Sequence, residues 1–164
     1  MPVREYRVGI GMDVHPLSPE RKFYVCGVCV SPSLGPVGHS DGDPVAHSLA
    51  DALLGAGGLP DIGTLFPADD ARYQNIPGNV LLEETVKKVS SYGWHIESVD
   101  CVLWLEKPAI APLVTTIRSA LARTLGVDIE QVGFKVKRGE GLGFVGSGEG
   151  TMAFSTALLT RPKM

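Results

Sequence analysis

The chain has 164 residues, 44% hydrophobic and 20% charged, with a formal net charge of −3. That length suits one domain with a buried core, so residues 1–164 are read as a single domain. The weak negative charge argues against general affinity for nucleic acid or anionic membrane surfaces, and no apolar run approaches the ~20 residues of a membrane span. The N-terminus has neither a signal-peptide nor a transit-peptide layout. Three cysteines fit a reducing compartment better than a disulfide framework, so a cytoplasmic protein is expected.

The first predicted strand lies near 4–12, where Tyr6-Arg7-Val8-Gly9-Ile10 alternates apolar and polar residues. It leads into Gly11-Met12-Asp13-Val14-His15-Pro16-Leu17. Residues i and i+2 of a strand share a face, so Asp13 and His15 point the same way and Val14 is expected to face the core. Such a pair reads either as a hydrogen-bonded cap of the strand end or as half of a metal site that needs another ligand.

A second strand near 22–30 contains Cys26-Gly27-Val28-Cys29. A redox CxxC opens a helix, whose N-terminus lowers the thiolate pKa, and no second CxxC exists to complete a zinc site. The two cysteines are therefore read as structural. Beyond the Pro/Gly/Ser loop 31–36, Asp43 is a natural N-cap and Pro44 suits the first helical position. The helix that follows puts Val45, Leu49, Ala52 and Leu53 on one face and stops at Gly57-Gly58. Residues 59–78, rich in Gly, Pro and Asp, read as a long surface loop of the kind that carries function. A second helix is predicted over 79–92 and a strand from Trp94 to Glu106. Pro112 opens a third helix that Gly126 closes, and strands near 131–137 and 151–160 flank a glycine-rich loop. The order β-β-α-α-β-α-β-β implies an α/β (α+β) domain, a mixed sheet with helices on one face.

Three of the four histidines, His15, His39 and His47, fall within the first 50 residues. Asp13, His15 and His47 together offer one carboxylate and two imidazoles, a set suited to zinc with an open fourth position. Asp51, one helical turn after His47, either orients that imidazole or is simply solvated. A helix N-terminus attracts anions, but Asp41 and Asp43 already place negative charge there, which favours a metal-bridged phosphate over a bare one. The formal GxGxxG of Gly141–Gly146 is followed by the β-prone Thr151-Met152-Ala153-Phe154 rather than a helix. A tight turn is a better reading of it than a dinucleotide site. Lys135, Lys137 and Arg138 beside it form either a solvated edge or a phosphate contact.

The segments "GMDVHPL", "GHSDGDPVAHSLADALLGAGGLPDIGTLFP" and "LGFVGSGEG" resemble the 2-C-methyl-D-erythritol 2,4-cyclodiphosphate synthase family, and the similarity runs from the first strand to the last. The resemblance implies a homotrimer with active sites at subunit interfaces. It also implies cyclisation of 4-diphosphocytidyl-2-C-methyl-D-erythritol 2-phosphate with release of CMP. Carried over by motif, Asp13, His15 and His47 would hold zinc, and Glu140 a second divalent cation, magnesium or manganese. His39 and Ser40 would contact the substrate, with His39 helping to stabilise the transition state. Asp61, Ile62 and Gly63 would hold the erythritol hydroxyls, with Phe66, Pro67, Asp69 and Asp70 nearby. Phe144 belongs to the matching glycine-rich segment and is grouped with the substrate-side residues. Leu105, Glu106, Lys107, Pro108, Ala109, Ile110 and Ala111 match the stretch that cups cytosine in a neighbouring subunit.

The chain departs from the family pattern at several points. Lys137, Arg138 and Gly139 replace a Thr-rich phosphate-contacting segment, Ala109 and Ala68 stand where Lys and Asp are usual, and Ser147 replaces an Arg. One reading keeps the synthase activity, with Lys137 and Arg138 on the phosphate side and Arg138 supplying a charge-assisted phosphate contact. The alternative is a trimeric metal-binding homologue with a different phosphorylated ligand or a regulatory role.

Overall fold

The computed structural model describes residues 3–38 and 40–163. The first half contains β1 (Arg4–Ser18), β2 (Phe23–Val25), β3 (Val28–Ser31), β4 (Gly35–Pro36), α1 (Pro44–Gly57) and α2 (Ile62–Leu65). The second half contains α3 (Gly78–Ser91), β5 (His95–Trp104), α4 (Val114–Leu125), β6 (Val132–Lys137), α5 (Gly143–Gly146) and β7 (Gly150–Pro162). Five strands form one mixed sheet in the order β4-β1-β7-β5-β6, in which only β5 and β6 are parallel. A parallel pair needs a crossover connection, and α4 supplies it.

α1 is the central helix. Asp43 Oδ1 accepts from Val45 N and Ala46 N at 3.0 Å each, Pro44 occupies the first turn, and Gly58 closes the helix at φ 70°. Nearly every residue of α1 is buried, because the helix lies between the sheet and α3. An element covered on two sides is apolar almost all round.

The phase of β1 differs from the expectation. Gly9 and Gly11 face α1, where a Cβ would sit 1.9 Å from the Ala52 and Ser48 carbonyl oxygens respectively. Asp13 and His15 share that phase. Val14 therefore does not face the core: it lies on the opposite side of the sheet, 50% exposed, in line with Val8 at 73% and Ile10 at 71%. Glycines take the core-facing positions because the helix backbone, not its side chains, meets this strand.

The predicted strand near 22–30 is a hairpin of β2 and β3, turned at Cys26 (φ 47°) and Gly27 (φ 80°) in the two-residue geometry that needs left-handed backbone. Its cysteines are free, and burial pushes the Cys26 thiol up to about 12, as it does the Cys101 thiol. Burial disfavours the reactive thiolate at Cys26, in keeping with a structural reading of that residue, whereas Cys29 is exposed. The 59–78 loop holds α2 and a 3₁₀ turn at Ala71–Tyr73, and Pro112 lies in a 3₁₀ turn that leads into α4. Only the one-turn α5 lies within the glycine-rich segment before β7 begins, so no dinucleotide-type helix follows it. Among the described residues no helix is long and apolar enough to cross a membrane.

Candidate metal centre and cavities

The close approach of α1 to β1 sets the geometry of the site. β1 presents Asp13 and His15 toward the helix, and the first turn of α1 presents His47 back toward the strand. Asp13 Oδ2 lies 2.8 Å from His15 Nε2 and 3.0 Å from His47 Nδ1. The two rings are 5.7 Å apart between centroids.

The outer nitrogen of each ring is also engaged. His15 Nδ1 is 2.9 Å from the Val37 carbonyl, and because a carbonyl only accepts, Nδ1 carries the proton there. His47 Nε2 is 3.0 Å from Ser40 Oγ. Asp51 therefore does not orient His47; its Oδ1 accepts from Ile62 N at 2.9 Å and ties the start of α2 to α1. Gly38 makes room for the His15 ring, since a Cβ there would meet Cε1 at 3.0 Å.

This arrangement suits a cation. With Nδ1 protonated, a neutral His15 turns the Nε2 lone pair onto a carboxylate oxygen, and only a proton or a metal between them relieves the repulsion. Burial opposes the imidazolium form of His15, but the hydrogen bond and charge of Asp13 outweigh it and raise the His15 pKa above its ordinary 6.5. Burial likewise pushes the Asp13 carboxyl up, and the bonds and charges of His15 and His47 more than reverse that, holding it below its usual range. The three ligand atoms lie within 4.8 Å of one another. A tetrahedral ion with ~2 Å bonds spaces its ligands about 3.3 Å apart, so small side-chain adjustments would seat one.

The centre opens onto a cavity of about 220 Å³ whose walls include His15, Ser40, His47, Ile62, Gly63 and Phe66. The structure thus brings together six residues assigned from sequence to metal and substrate. Ala68, Tyr73, Ile76 and Leu81 complete the wall. Tyr73 and Ile76 carried no sequence signal, because nothing in a loop's composition says which apolar residues fold back over a site, and Leu81 reaches the wall from α3. Tyr73 meets Phe66 edge to face at 5.2 Å.

Asp61 is the N-cap of α2 and accepts from Thr64 N and Oγ1, both at 2.9 Å. Asp70 is paired with Arg72 at 2.6 Å, Asp69 is exposed, and Pro67 is half-buried. None of Asp61, Pro67, Asp69 and Asp70 lines the cavity. His39 lies outside the described residues.

A second cavity, about 530 Å³, is lined by Glu106, Lys107, Pro108, Ala109 and Arg138, together with Ser31, Ser33 and Leu34. The two cavities share no wall. Leu105 and Ile110, expected beside a base, are 1% exposed, packed into the core and not part of this wall; Ala111 begins the 3₁₀ turn before α4. Ser31, Ser33 and Leu34 were not foreseen, since they reach this cavity from a separate loop. Lys137 ends β6 exposed and lines neither cavity. Lys135 is ion-paired with Asp100, which resolves it as a solvated edge. Phe144 packs on Gly150. Glu140 is exposed, at φ 52°, and forms no ion pair among the described residues. A single free carboxylate suits magnesium or manganese when phosphates supply the remaining oxygens.

The YgbB family model matches residues 6–160. The chain is 42% identical to the 2-C-methyl-D-erythritol 2,4-cyclodiphosphate synthase of Moorella thermoacetica over 153 residues, covering 93% of this chain and 94% of that protein. Among solved structures it superposes on a 2C-methyl-D-erythritol-2,4-cyclodiphosphate synthase in its CDP-bound form, with a TM-score of 0.86 and 35% identity over 93% of this chain and 99% of that one. It also superposes on the bifunctional IspDF of Campylobacter jejuni, with a TM-score of 0.93 and 36% identity, where 98% of this chain covers 43% of the longer protein. The chain therefore belongs to the YgbB family, that of the 2-C-methyl-D-erythritol 2,4-cyclodiphosphate synthases.

Proposed function

We propose that the protein cyclises 4-diphosphocytidyl-2-C-methyl-D-erythritol 2-phosphate to the 2,4-cyclodiphosphate with release of CMP. The observation that carries this reading is the convergence of Asp13, His15 and His47 on one point at the mouth of a cavity, in a chain with synthase relatives over nearly its whole length.

The nucleophile is the substrate's own 2-phosphate, already anionic, so no strong base is required of the protein. What the reaction demands is alignment and relief of charge repulsion. When bound, zinc at Asp13, His15 and His47 and magnesium or manganese at Glu140 supply Lewis-acid neutralisation of the phosphates. Ile62, Gly63 and Phe66 wall in the erythritol end, and Ser40, already on His47, stands at the same mouth. Holding both reacting groups of one molecule in register removes most of the encounter entropy. Arg138 and Lys107 offer cations at the second cavity, where the diphosphate and cytosine would sit.

A homotrimer accounts for the two separated cavities, since the first cavity of one protomer would meet the second cavity of the next. The open face of the sheet supports assembly: Tyr6, Val8, Ile10, Met12 and Val14 form a continuous exposed apolar row on β1. A row of that size on a soluble monomer marks an interaction surface.

The test is chromatographic detection of CMP and the cyclic diphosphate after incubating the metal-loaded protein with this substrate. Both products are expected, and both are expected to vanish in His47→Ala. A metal-loaded protein that forms neither overturns the reading.

A further inference from the structure

Glu106 belongs to the stretch assigned from sequence to base contacts, yet its carboxylate is turned onto the chain itself. Oε1 accepts from Arg138 Nη2 at 2.7 Å and Oε2 from Gly139 N at 2.9 Å. The Glu106 side chain is only 12% exposed, whereas Arg138 is 61% exposed. The Arg138 hydrogen bond, with the backbone donors and the guanidinium charge, holds the Glu106 carboxyl below its ordinary value against the opposing effect of burial.

The topology explains the contact. β5 and β6 are parallel neighbours with Trp104 opposite Lys137, so the residues leaving the two strand ends run side by side. Glu106 thereby holds Arg138 and Gly139, two of the residues that depart from the family's pattern, just before Glu140, which is held in a left-handed conformation unusual for a side-chain-bearing residue. Arg138 forms no other hydrogen bond among the described residues, so the rest of its planar fork stays available. Arg138 lines the second cavity with Lys107, Ser31 and Ser33. Two cations against one carboxylate that is already engaged make a wall suited to an anion with an adjoining body, as in a nucleoside diphosphate.

We propose that Glu106 is a positioning residue, which fixes Arg138 and the Gly139-Glu140 turn so that the free edge of the guanidinium meets a phosphate of the ligand in the second cavity. This rests on the functional reading above. A side chain ordered before binding loses less freedom when the ligand arrives, and Glu106 takes one corner of the fork while leaving the other for a charge-assisted contact.

A double-mutant cycle on calorimetric CDP binding to the metal-loaded, full-length protein tests the proposal. Arg138→Ala is expected to weaken CDP about tenfold, the loss of one charge-assisted contact. Glu106→Gln keeps the shape and an acceptor for Gly139 N but loses the ion pair, and is expected to weaken CDP about fivefold. The double variant should bind within about twofold of Arg138→Ala alone, because Glu106 acts through the arginine. Multiplicative effects, or a Glu106→Gln variant that binds like the wild type, would overturn the proposal. So would a fall of more than about 10 °C in the Tm of Glu106→Gln, which would mark a role in stability beyond that of an exposed ion pair. A wild-type protein that binds no CDP would overturn the functional reading and this proposal together, whereas CDP binding with an additive cycle would overturn this proposal alone.

Discussion

Asp13 places one carboxylate oxygen between two imidazoles, and the outer nitrogen of each ring is fixed by a different part of the chain, Val37 and Ser40. The pH response of this centre depends on what occupies it. Without metal, the His15–Asp13 pair contributes stability that is fully present below about 6.5 and is lost as pH rises through the elevated folded pKa of His15. With metal, the same proton is a competitor, so occupancy and stability should fall as pH drops through that range. Thermal unfolding of zinc-loaded and chelator-stripped protein between pH 6 and 9 should therefore diverge, with the loaded form gaining relative stability toward high pH. Parallel curves would contradict a shared proton and metal position. The Asp13, His15 and His47 set was legible in the sequence because the strand period and the helix cap both constrain where those side chains go. The role of Asp51 was not, because its partner is the backbone of a loop whose path only the fold determines.

At the scale of elements, the metal centre depends on the packing of α1 against β1, and two glycines decide that packing. A Cβ on Gly11 would lie 1.9 Å from the Ser48 carbonyl oxygen, one residue beyond His47. Gly11→Ala should push α1 outward, costing about 1–3 kcal/mol as overpacking does and weakening zinc binding by moving His47 away from Asp13. Equilibrium dialysis against zinc alongside a denaturation curve would show both effects; unchanged zinc affinity in a destabilised variant would mean that the site does not depend on this approach. Element types and order were readable because caps and periodicity are local signals: Asp43, Pro44, Gly58 and Gly126 all stand where helices begin or end. The facing of β1 was not. An alternating strand has two possible orientations, and the usual preference for Val and Ile inside fails where glycine allows a helix backbone to lie against the strand.

At the scale of the whole molecule, that reversed facing leaves Tyr6, Val8, Ile10, Met12 and Val14 on an open sheet face. The proposed trimer would bury this face and bring a neighbour to each cavity. Val8→Asp should therefore shift the protein toward smaller species in sedimentation and lower CMP release, while leaving the fold by circular dichroism intact. A variant that keeps the wild-type mass and activity would contradict assembly through this face. The exposed row was the feature least legible in the sequence, since it is distinguished from a core row only after the strand's orientation is known.

On the proposed function, Asp13, His15 and His47 hold one metal ion on which CMP release depends. The most direct test titrates zinc into chelator-stripped protein at fixed magnesium and follows the initial rate of CMP release. The rate should rise from near zero and saturate at one zinc per chain, and His47→Ala should stay inactive at the same zinc concentrations. Full activity in the stripped protein, or a rate indifferent to zinc, would contradict it.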